Sequence, residues 1–296
     1  YNGSTTEIGE LEDLTQQVLD EARKRGATAA EAGASVEDGY STTVRMGEVE
    51  TVEHHKDRGM GVTVYFGKRK GTASSSDFSS TSIRDAVRAA CDIARYTEED
   101  LYAGLADSEQ LATEFPDLEL EQSWEVGVEE SVNVAMACEQ AALESDPRIV
   151  NSEGGSVSSH RSIRVYGNSN GFLAGYSGTR HGVSCSVVAR DEASSDSSGM
   201  QRDYWYTSAR DPELLENPEA VGRRAAQRAV DRLGARKGES CQAPVIFAAP
   251  VASTLLNHFV AAIRGGSLYR KASFLVDQLG EQLFPSFLII SENPYL

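Results

Sequence analysis

The chain has 296 residues, of which 40% are hydrophobic and 25% are charged, as is typical of a folded globular protein. Its formal net charge of −17 repels phosphate backbones, so the composition argues against non-specific nucleic-acid binding. No apolar run approaches the roughly 18 residues that a membrane-spanning helix needs. The first residues also lack an apolar segment of the signal-peptide kind.

Apolar residues at helical spacing predict a first helix over residues 10–25, ended by Gly26. Residues 40–54 predict two short strands about a turn near Gly47, followed by a half-buried strand in GMGVTVYF and a fourth strand in TASSSD. A capping box at Ser82 and Asp85 then predicts a second helix, whose inner face would hold Ile83, Val87, Cys91 and Ala94. The acidic, aperiodic residues 97–123 are interpreted as a linker.

The same order of elements then recurs. A helix is predicted between Val128 and Leu143, followed by strand segments at 148–158, 161–167, 171–177 and 182–190, a loop at 193–199 and the strand RDYWYTSAR. Asn217 and Pro218 provide the cap and first-turn proline of another helix. TVYFGKRKGTA and RVYGNSNGFLA share Val-Tyr before a polar turn. The pattern predicts an α+β fold with an internal duplication, although convergence on hairpin chemistry also explains the shared motif.

A polar segment, GARKGESCQA, separates these halves from the rest of the chain. It is followed by PVIFAA, which predicts a buried strand, and by a helix that begins at Pro250. The predicted domains are therefore 1–105, 106–236 and 237–296, the last being only the beginning of a β-rich domain.

The four cysteines, Cys91, Cys138, Cys185 and Cys241, are far apart and form no C-x-x-C motif. This spacing fits neither a disulfide framework nor a zinc ribbon. Reduced thiols, and with them a cytoplasmic location, are the simplest expectation.

Gly167–Gly171 reads GNSNG and matches the G-x-S-x-G pattern of a nucleophile elbow. An elbow requires a helix after the serine, whereas a strand is predicted here, so a hairpin turn is favoured over a catalytic Ser169. A serine hydrolase that uses Ser169 with His160 or His181 as base is kept as an alternative.

Three further motifs have ordinary structural explanations. Gly59-Met60-Gly61 lacks the third glycine and the helix of a dinucleotide loop. His54 and His55 with Asp57 would bind a metal awkwardly, because adjacent strand residues point to opposite faces. Trp205 and its two neighbouring tyrosines could form an aromatic surface, but one face of such a strand is usually core.

The segment TLLNHFVAA places Asn257 and His258 in an apolar helix. Zinc sites require three or four ligands, and Ala262, one turn after His258, has no donor atom. From its chemistry alone this helix does not form a zinc hydrolase site.

Several long segments, in the same order, carry a resemblance to a known family. They are RMGEVETVEHHKDRGMGVTVYFGKRKGTASSSD, CDIARYTEED, RIVNSEGGSVSSH, VYGNSNGFLAGYSGTRH, MQRDYWYT, QAPVIFAAPVA and GGSLYRKASFLVDQLGEQ. From about residue 10 to its end the chain resembles the PmbA/TldE branch of the TldD/PmbA family, whose members were long labelled modulators of DNA gyrase.

The resemblance implies one of two homologous subunits of a cytoplasmic zinc metalloprotease that degrades or trims unfolded peptides, including peptide precursors and an antitoxin. TldD-type chains carry H-E-x-x-x-H in their last domain, and its three functional positions fall here on Asn257, His258 and Ala262. The resemblance therefore implies no catalytic residue and no zinc in this chain, with zinc in a TldD-like partner. It also implies that the family's third domain continues beyond residue 296.

Arg270 and Lys271 match the Arg-Lys that follows this helix in the family. They are candidate contacts to a peptide or to the partner subunit, with a surface or interdomain ion pair as the alternative. A DNA- or gyrase-associated regulator is the other functional alternative, and a homodimer of the isolated chain is an open expectation. No nucleic-acid or membrane partner is expected.

Overall fold

The structure is a computed structural model that describes residues 2–191 and 199–295. Its chain forms two compact units, Tyr1–Ala235 and Arg236–Leu296.

Within its described residues, the first unit contains four α-helices and six β-strands in two successive sets. The first set is α1 (Asn2–Lys24), β1 (Ala29–Arg45), β2 (Glu48–Phe66), β3 (Arg69–Ser75) and α2 (Ser80–Tyr96). The second set is α3 (Val128–Leu143), β4 (Ile149–Asn168), β5 (Leu173–Arg190), β6 (Met200–Ala209) and α4 (Pro218–Asp231). Short 3-10 turns lie at Ser108–Gln110 and Pro212–Leu214.

The six strands form one antiparallel sheet in the order β3-β2-β1-β4-β5-β6. The two three-stranded sets therefore join through β1 and β4, which are the first strands of their sets. The predicted α+β fold with antiparallel sheets and repeated helix–strands–helix order is confirmed. The predicted boundary near residue 105 falls between two sets of elements that share this one sheet.

The helices of the first unit pack on one face of the sheet. Ala30, Ala32 and Ala34 on β1 are buried beneath α1, and Val44 on the same face packs with α3. Two glycines set how closely α3 approaches its neighbours, since a Cβ at Gly155 or at Gly222 would overlap main-chain atoms. Small residues at these points allow the backbones to come into direct contact.

The strands are longer and fewer than the sequence predicts. β1 begins at Ala29, eleven positions before the predicted start, and the four predicted segments between 148 and 190 are the two continuous strands β4 and β5. The strand predicted in TASSSD is β3, which starts earlier at Arg69. Small and polar residues populate both faces of these strands, which weakens the period-2 pattern. The predicted loop at 193–199 lies outside the described residues, apart from Gly199.

The helix caps differ in one case from the predictions. Ser79, not Ser82, caps α2, because the Ser79 hydroxyl accepts a hydrogen bond from the Ser82 main-chain N–H at 3.3 Å. Asn217 caps α4 as predicted, accepting from the Ala220 N–H at 3.1 Å. The buried face predicted for α2 is confirmed.

The second unit contains α5 (Ala249–Ile263) and α6 (Gly265–Tyr269). The buried strand predicted for PVIFAA is wrong: its residues 244–248 form no strand, and Ile246 is 97% exposed. An extended segment becomes a strand only by pairing with another, and no strand occurs in the described part of this unit. In the ranges that the structure describes, no helix is long and apolar enough to cross a bilayer.

Candidate functional site

Helix α5 carries the three positions that the sequence compares with a zinc site. Asn257 and His258 are exposed, whereas Ala262 is 8% exposed. This donor set does not fit zinc, which needs at least three protein ligands of the imidazole, thiolate or carboxylate kind. Across the described residues, no three His, Cys, Asp or Glu side chains lie together in a way that could hold a metal ion.

Arg270 and Lys271 follow α6 directly. Both are exposed, and no carboxylate within the described part of the chain forms an ion pair with either. Lys271 has a φ of 54°, in the left-handed region that non-glycine residues rarely adopt. Among the described residues, then, neither side chain shows the surface ion pair that was the alternative.

Ser169 lies in the turn between β4 and β5. Its hydroxyl accepts a hydrogen bond from the Ala30 N–H at 3.0 Å, and the Gly171 N–H donates to the Asn168 carbonyl at 3.2 Å. His160 is eight strand residues from Asn168, about 26 Å along β4. His181 pairs with Ser159, at the same distant part of the strand. The geometry therefore opposes a Ser-His hydrolase and supports the hairpin turn.

One concave feature of the first unit is a pocket of about 570 Å³ on the sheet face opposite the helices. Its lining includes Glu37 of β1, three residues of β4, four of β5, and the end of β6: Glu37, His160, Ser162, Arg164, Tyr176, Gly178, Thr179, Arg180, Ser208, Ala209 and Arg210. We call it the sheet pocket. Its volume lies in the range of pockets that bind small molecules or a few residues of a peptide.

Strand register explains why these side chains meet. Residues 160, 162 and 164 alternate along β4, and their partners on β5 are Arg180, Gly178 and Tyr176. Period-2 alternation puts all six positions on one face. Gly178 leaves room for a neighbour, since a Cβ there would lie 3.0 Å from Nη1 of Arg210.

The sheet pocket is positively charged in an otherwise acidic protein. Three arginines and one glutamate line it, a side-chain charge of +2 with the histidine neutral. Among the described residues, Arg164 and Arg180 have no acidic partner, and Arg210 donates only to the Thr179 carbonyl, at 3.4 Å. On the opposite face, by contrast, Arg161 binds Glu7 and Glu121 at 2.7 and 2.6 Å.

His160 forms one wall of the sheet pocket. Its Nδ1 is buried without a hydrogen-bond partner and lies 3.9 Å from a carboxylate oxygen of Glu37. The His55 ring lies 6.2 Å from the His160 ring, whereas His54 contacts Asp38 at 3.2 Å. Thus the two adjacent histidines have different neighbours, as the strand argument against a shared metal predicts.

Exposed tyrosines extend from the pocket along the same sheet face. Tyr176 is 53% exposed, and Tyr204 stacks on Tyr206 with ring centroids 6.3 Å apart. Trp205 points to the other face, where the Arg224 guanidinium lies 3.8 Å from its ring centroid. The prediction that one face of this strand packs inward is confirmed.

Sequence reasoning singled out His160 but missed the arginines of the sheet pocket. The usable signal is the alternation of His160, Ser162 and Arg164 with that of Tyr176, Gly178 and Arg180. Arg161 obscures this alternation in the sequence, because it places a charged residue on the helix-covered face of β4 as well. These residues also come together only because β4 pairs with β5, and the sequence does not show that pairing.

Three domains of one protein family match the chain in order. Residues 30–94 match domain 1 of the PmbA/TldA metallopeptidases, residues 121–233 match their central domain, and residues 240–296 match their C-terminal domain.

Named relatives match nearly the whole chain. Metalloprotease PmbA of Escherichia coli O157:H7 is 46% identical over 286 residues, and the Metalloprotease PmbA homolog of Haemophilus influenzae is 43% identical over 287. Each match covers 97% of this chain and 62% of the relative. The chain thus spans less than two thirds of the length of these relatives.

Solved structures share the fold. A protein described as a modulator of DNA gyrase from Bacteroides thetaiotaomicron has a TM-score of 0.80 at 24% identity, over 90% of this chain and 60% of its own. TldE from Thermococcus kodakarensis has a TM-score of 0.66 at 16% identity, over 90% and 59%. At these identities the likeness concerns the fold alone.

Proposed function

This chain belongs to the PmbA/TldD metallopeptidase family, and from that premise we propose that it is the non-catalytic, TldE-like subunit of a heteromeric zinc protease. A TldD-like subunit would carry the zinc ion and the catalytic residues. The substrates would be unfolded peptides, including peptide precursors and antitoxins. The role of this chain would be to bind the extended substrate and to support its partner.

The observation that carries the proposal is the composition of α5. Asn257, His258 and Ala262 occupy the positions that correspond to the ligand, base and ligand of a TldD-type chain. They offer one imidazole, one neutral amide and one methyl group. An amide and a methyl group cannot replace zinc-binding imidazoles, and an imidazole here does not reproduce the carboxylate base. The H-E-x-x-x-H chemistry of the family would therefore come from a TldD-like chain rather than from this helix.

The sheet supports the substrate part of the proposal. Its strands β3 and β6 lie at the two edges, and an extended peptide can pair with an exposed strand edge through main-chain hydrogen bonds. Exposed tyrosines and arginines on the face opposite the helices are residue types enriched at protein-binding surfaces.

Zinc analysis and peptide cleavage test the proposal together. The chain is purified alone and after co-expression with a TldD-like chain, and each sample is assayed for bound zinc and for cleavage of unfolded casein. We expect substoichiometric zinc and no cleavage with the chain alone, and zinc with cleavage in the complex. Stoichiometric zinc on the isolated chain would overturn the assignment.

A double variant, Asn257→Ala with His258→Ala, tests α5 within the complex. Because neither side chain is assigned to zinc, zinc content and cleavage should match those of the unaltered complex. Loss of zinc from the complex, with co-purification intact, would show that α5 contributes ligands after all.

The DNA-associated alternative has a separate test. With a net charge of −17 we expect no mobility shift of duplex DNA at low salt, where electrostatic binding is strongest. A salt-sensitive shift at low protein concentration would favour the regulator.

A further inference from the structure

The sheet pocket contains positively charged side chains that form no ion pairs within the described part of the chain. Several arginines elsewhere in the unit have acidic partners: Arg25 contacts Glu21 at 2.7 Å, and Arg161 contacts two carboxylates. In the described structure the guanidinium groups of Arg164 and Arg180 have no such partner, although both line a concavity. A chain with 45 acidic and 28 basic side chains has ample acid to neutralise them. Their isolation from acid suits a ligand that brings its own negative charge.

We propose that the sheet pocket binds a carboxylate of an extended peptide, either an acidic side chain or the C-terminal carboxylate. This deepens the proposed function and rests on it for the identity of the ligand as an unfolded peptide. Arg164, Arg180 and Arg210 supply the guanidinium donors, and Tyr176 supplies an adjacent phenol and aromatic surface.

A carboxylate fits the chemistry of the pocket. Guanidinium groups form two parallel hydrogen bonds with a carboxylate, and these charge-assisted bonds are the strong ones in proteins. Tyr176 is the register partner of Arg164, so an aromatic residue and an arginine occupy neighbouring positions on this face. Glu37, which also lines the pocket, repels a second negative charge and so favours a single carboxylate over a polyanion.

The size of the pocket and the electrostatic field of the protein favour a peptide over nucleic acid as the ligand. A pocket of about 570 Å³ admits one or two peptide residues but not a duplex. The chain's overall negative charge also repels a phosphate backbone, whereas a short peptide with one carboxylate meets mainly the local field.

Peptide binding to the isolated chain tests the proposal by fluorescence anisotropy. Three labelled peptides share a neutral extended sequence: one with a free C-terminus and no acidic residue, one amidated with an internal glutamate, and one amidated without acid. We expect the fully neutral peptide to bind more weakly than at least one of the others by about tenfold. The preferred acidic peptide identifies which carboxylate the pocket accepts.

Variants locate the binding. Arg164→Gln with Arg180→Gln should weaken binding of the preferred acidic peptide about tenfold and leave the neutral peptide unchanged. Arg223→Gln is the matched control, because Arg223 is an exposed arginine of α4 outside the pocket. Urea unfolding should show that all variants fold, since the substituted side chains are exposed.

Three outcomes would overturn the proposal. The first is equal affinity for the three peptides, and the second is an acid preference that the double substitution leaves unchanged. The third is a DNA duplex that binds through Arg164 and Arg180 while the acidic peptides do not. The measurement needs neither zinc nor a partner, so failure of the subunit assignment in the zinc assay remains separate from failure here.

Discussion

The imidazole of His160 on β4 lies directly over Gly39 on β1. The two residues are register partners, and a Cβ at Gly39 would overlap the ring and come within 2.7 Å of the Ser159 carbonyl oxygen. Only glycine leaves space for the histidine in this position. Gly39 therefore helps to shape the sheet pocket although it does not line it.

Gly39→Ala is expected to destabilise the first unit by about 1–3 kcal/mol, because the added methyl group must displace a side chain and a neighbouring main-chain carbonyl. The free energy of unfolding in urea measures this. Gly59→Ala on β2 is the matched control, since a Cβ there meets nothing within 4 Å. That substitution should be neutral or stabilising by up to about 1 kcal/mol. Equal effects of the two substitutions would contradict the steric argument.

The repeated Val-Tyr motif shows where sequence reasoning reached its limit. It predicts a duplication, and the duplicated order of elements is present. However, Tyr65 lies on β2, the second strand of its set, and Tyr166 lies on β4, the first of its set. The motif is thus not at equivalent positions, which favours the alternative of convergence. Both tyrosines donate to the Glu31 carboxylate, at 2.8 Å each.

This contact explains the shared motif physically. β2 and β4 are the two neighbours of β1, so each offers one tyrosine to the same glutamate of the central strand. The helices were predictable because their apolar spacing is local. The sheet order and the sheet pocket were not, because they depend on which strands pair across more than a hundred residues, as Gly39 and His160 do.

Tyr65→Phe should lower stability by about 1.5–3 kcal/mol near neutral pH, because it removes a partly buried hydrogen bond to a carboxylate. Burial first, and then the bond to Glu31, raise the pKa of Tyr65 above its ordinary value. Below the ordinary value near 10 this contribution is fully present; as pH rises further, the unfolded chain loses the proton first and stability falls.

Urea unfolding at about pH 8 and about pH 11 measures the alkaline loss, which should be smaller in Tyr65→Phe than in the unaltered chain. Tyr204→Phe is the control, since Tyr204 is 56% exposed. It should change stability by less than about 0.5 kcal/mol. If Tyr65→Phe loses as much stability between these pH values as the unaltered chain does, groups other than Tyr65 cause the alkaline loss.

The four cysteines should differ sharply in reactivity. Cys241 is exposed, whereas Cys91, Cys138 and Cys185 are buried. The hydrogen bond with Cys138 and then burial raise the pKa of Cys185, and burial raises that of Cys91. Since the thiolate is the reactive form, iodoacetamide should alkylate one thiol quickly at neutral pH and the others only as the chain unfolds. Peptide mapping should place the fast label on Cys241, and Cys241→Ser should abolish it. Fast labelling at a second cysteine would contradict the burial of the other three thiols.

Glu139 of α3 forms hydrogen bonds with the turn between β1 and β2. It is 1% exposed, and its two carboxylate oxygens accept hydrogen bonds from the main-chain N–H groups of Met46 and Gly47, at 2.8 Å each. Both turn residues have positive φ, at 52° and 78°, so their amides are held in a conformation that the carboxylate complements. Glu139→Gln keeps the size of the side chain but turns an amide donor toward one of these N–H groups.

We expect Glu139→Gln to cost about 1–3 kcal/mol in the free energy of unfolding, because one main-chain N–H loses its acceptor and the substituted side chain is buried. Hydrogen exchange should also quicken at Met46 and Gly47, since their protection depends on these bonds. Glu129→Gln, on the exposed first turn of the same helix, removes the same charge and should cost less than about 1 kcal/mol. The proposed role of the hydrogen bonds would be contradicted if both substitutions lowered the free energy of unfolding equally and hydrogen exchange at Met46 and Gly47 were unchanged. The loss of a negative charge from α3 would then explain both effects.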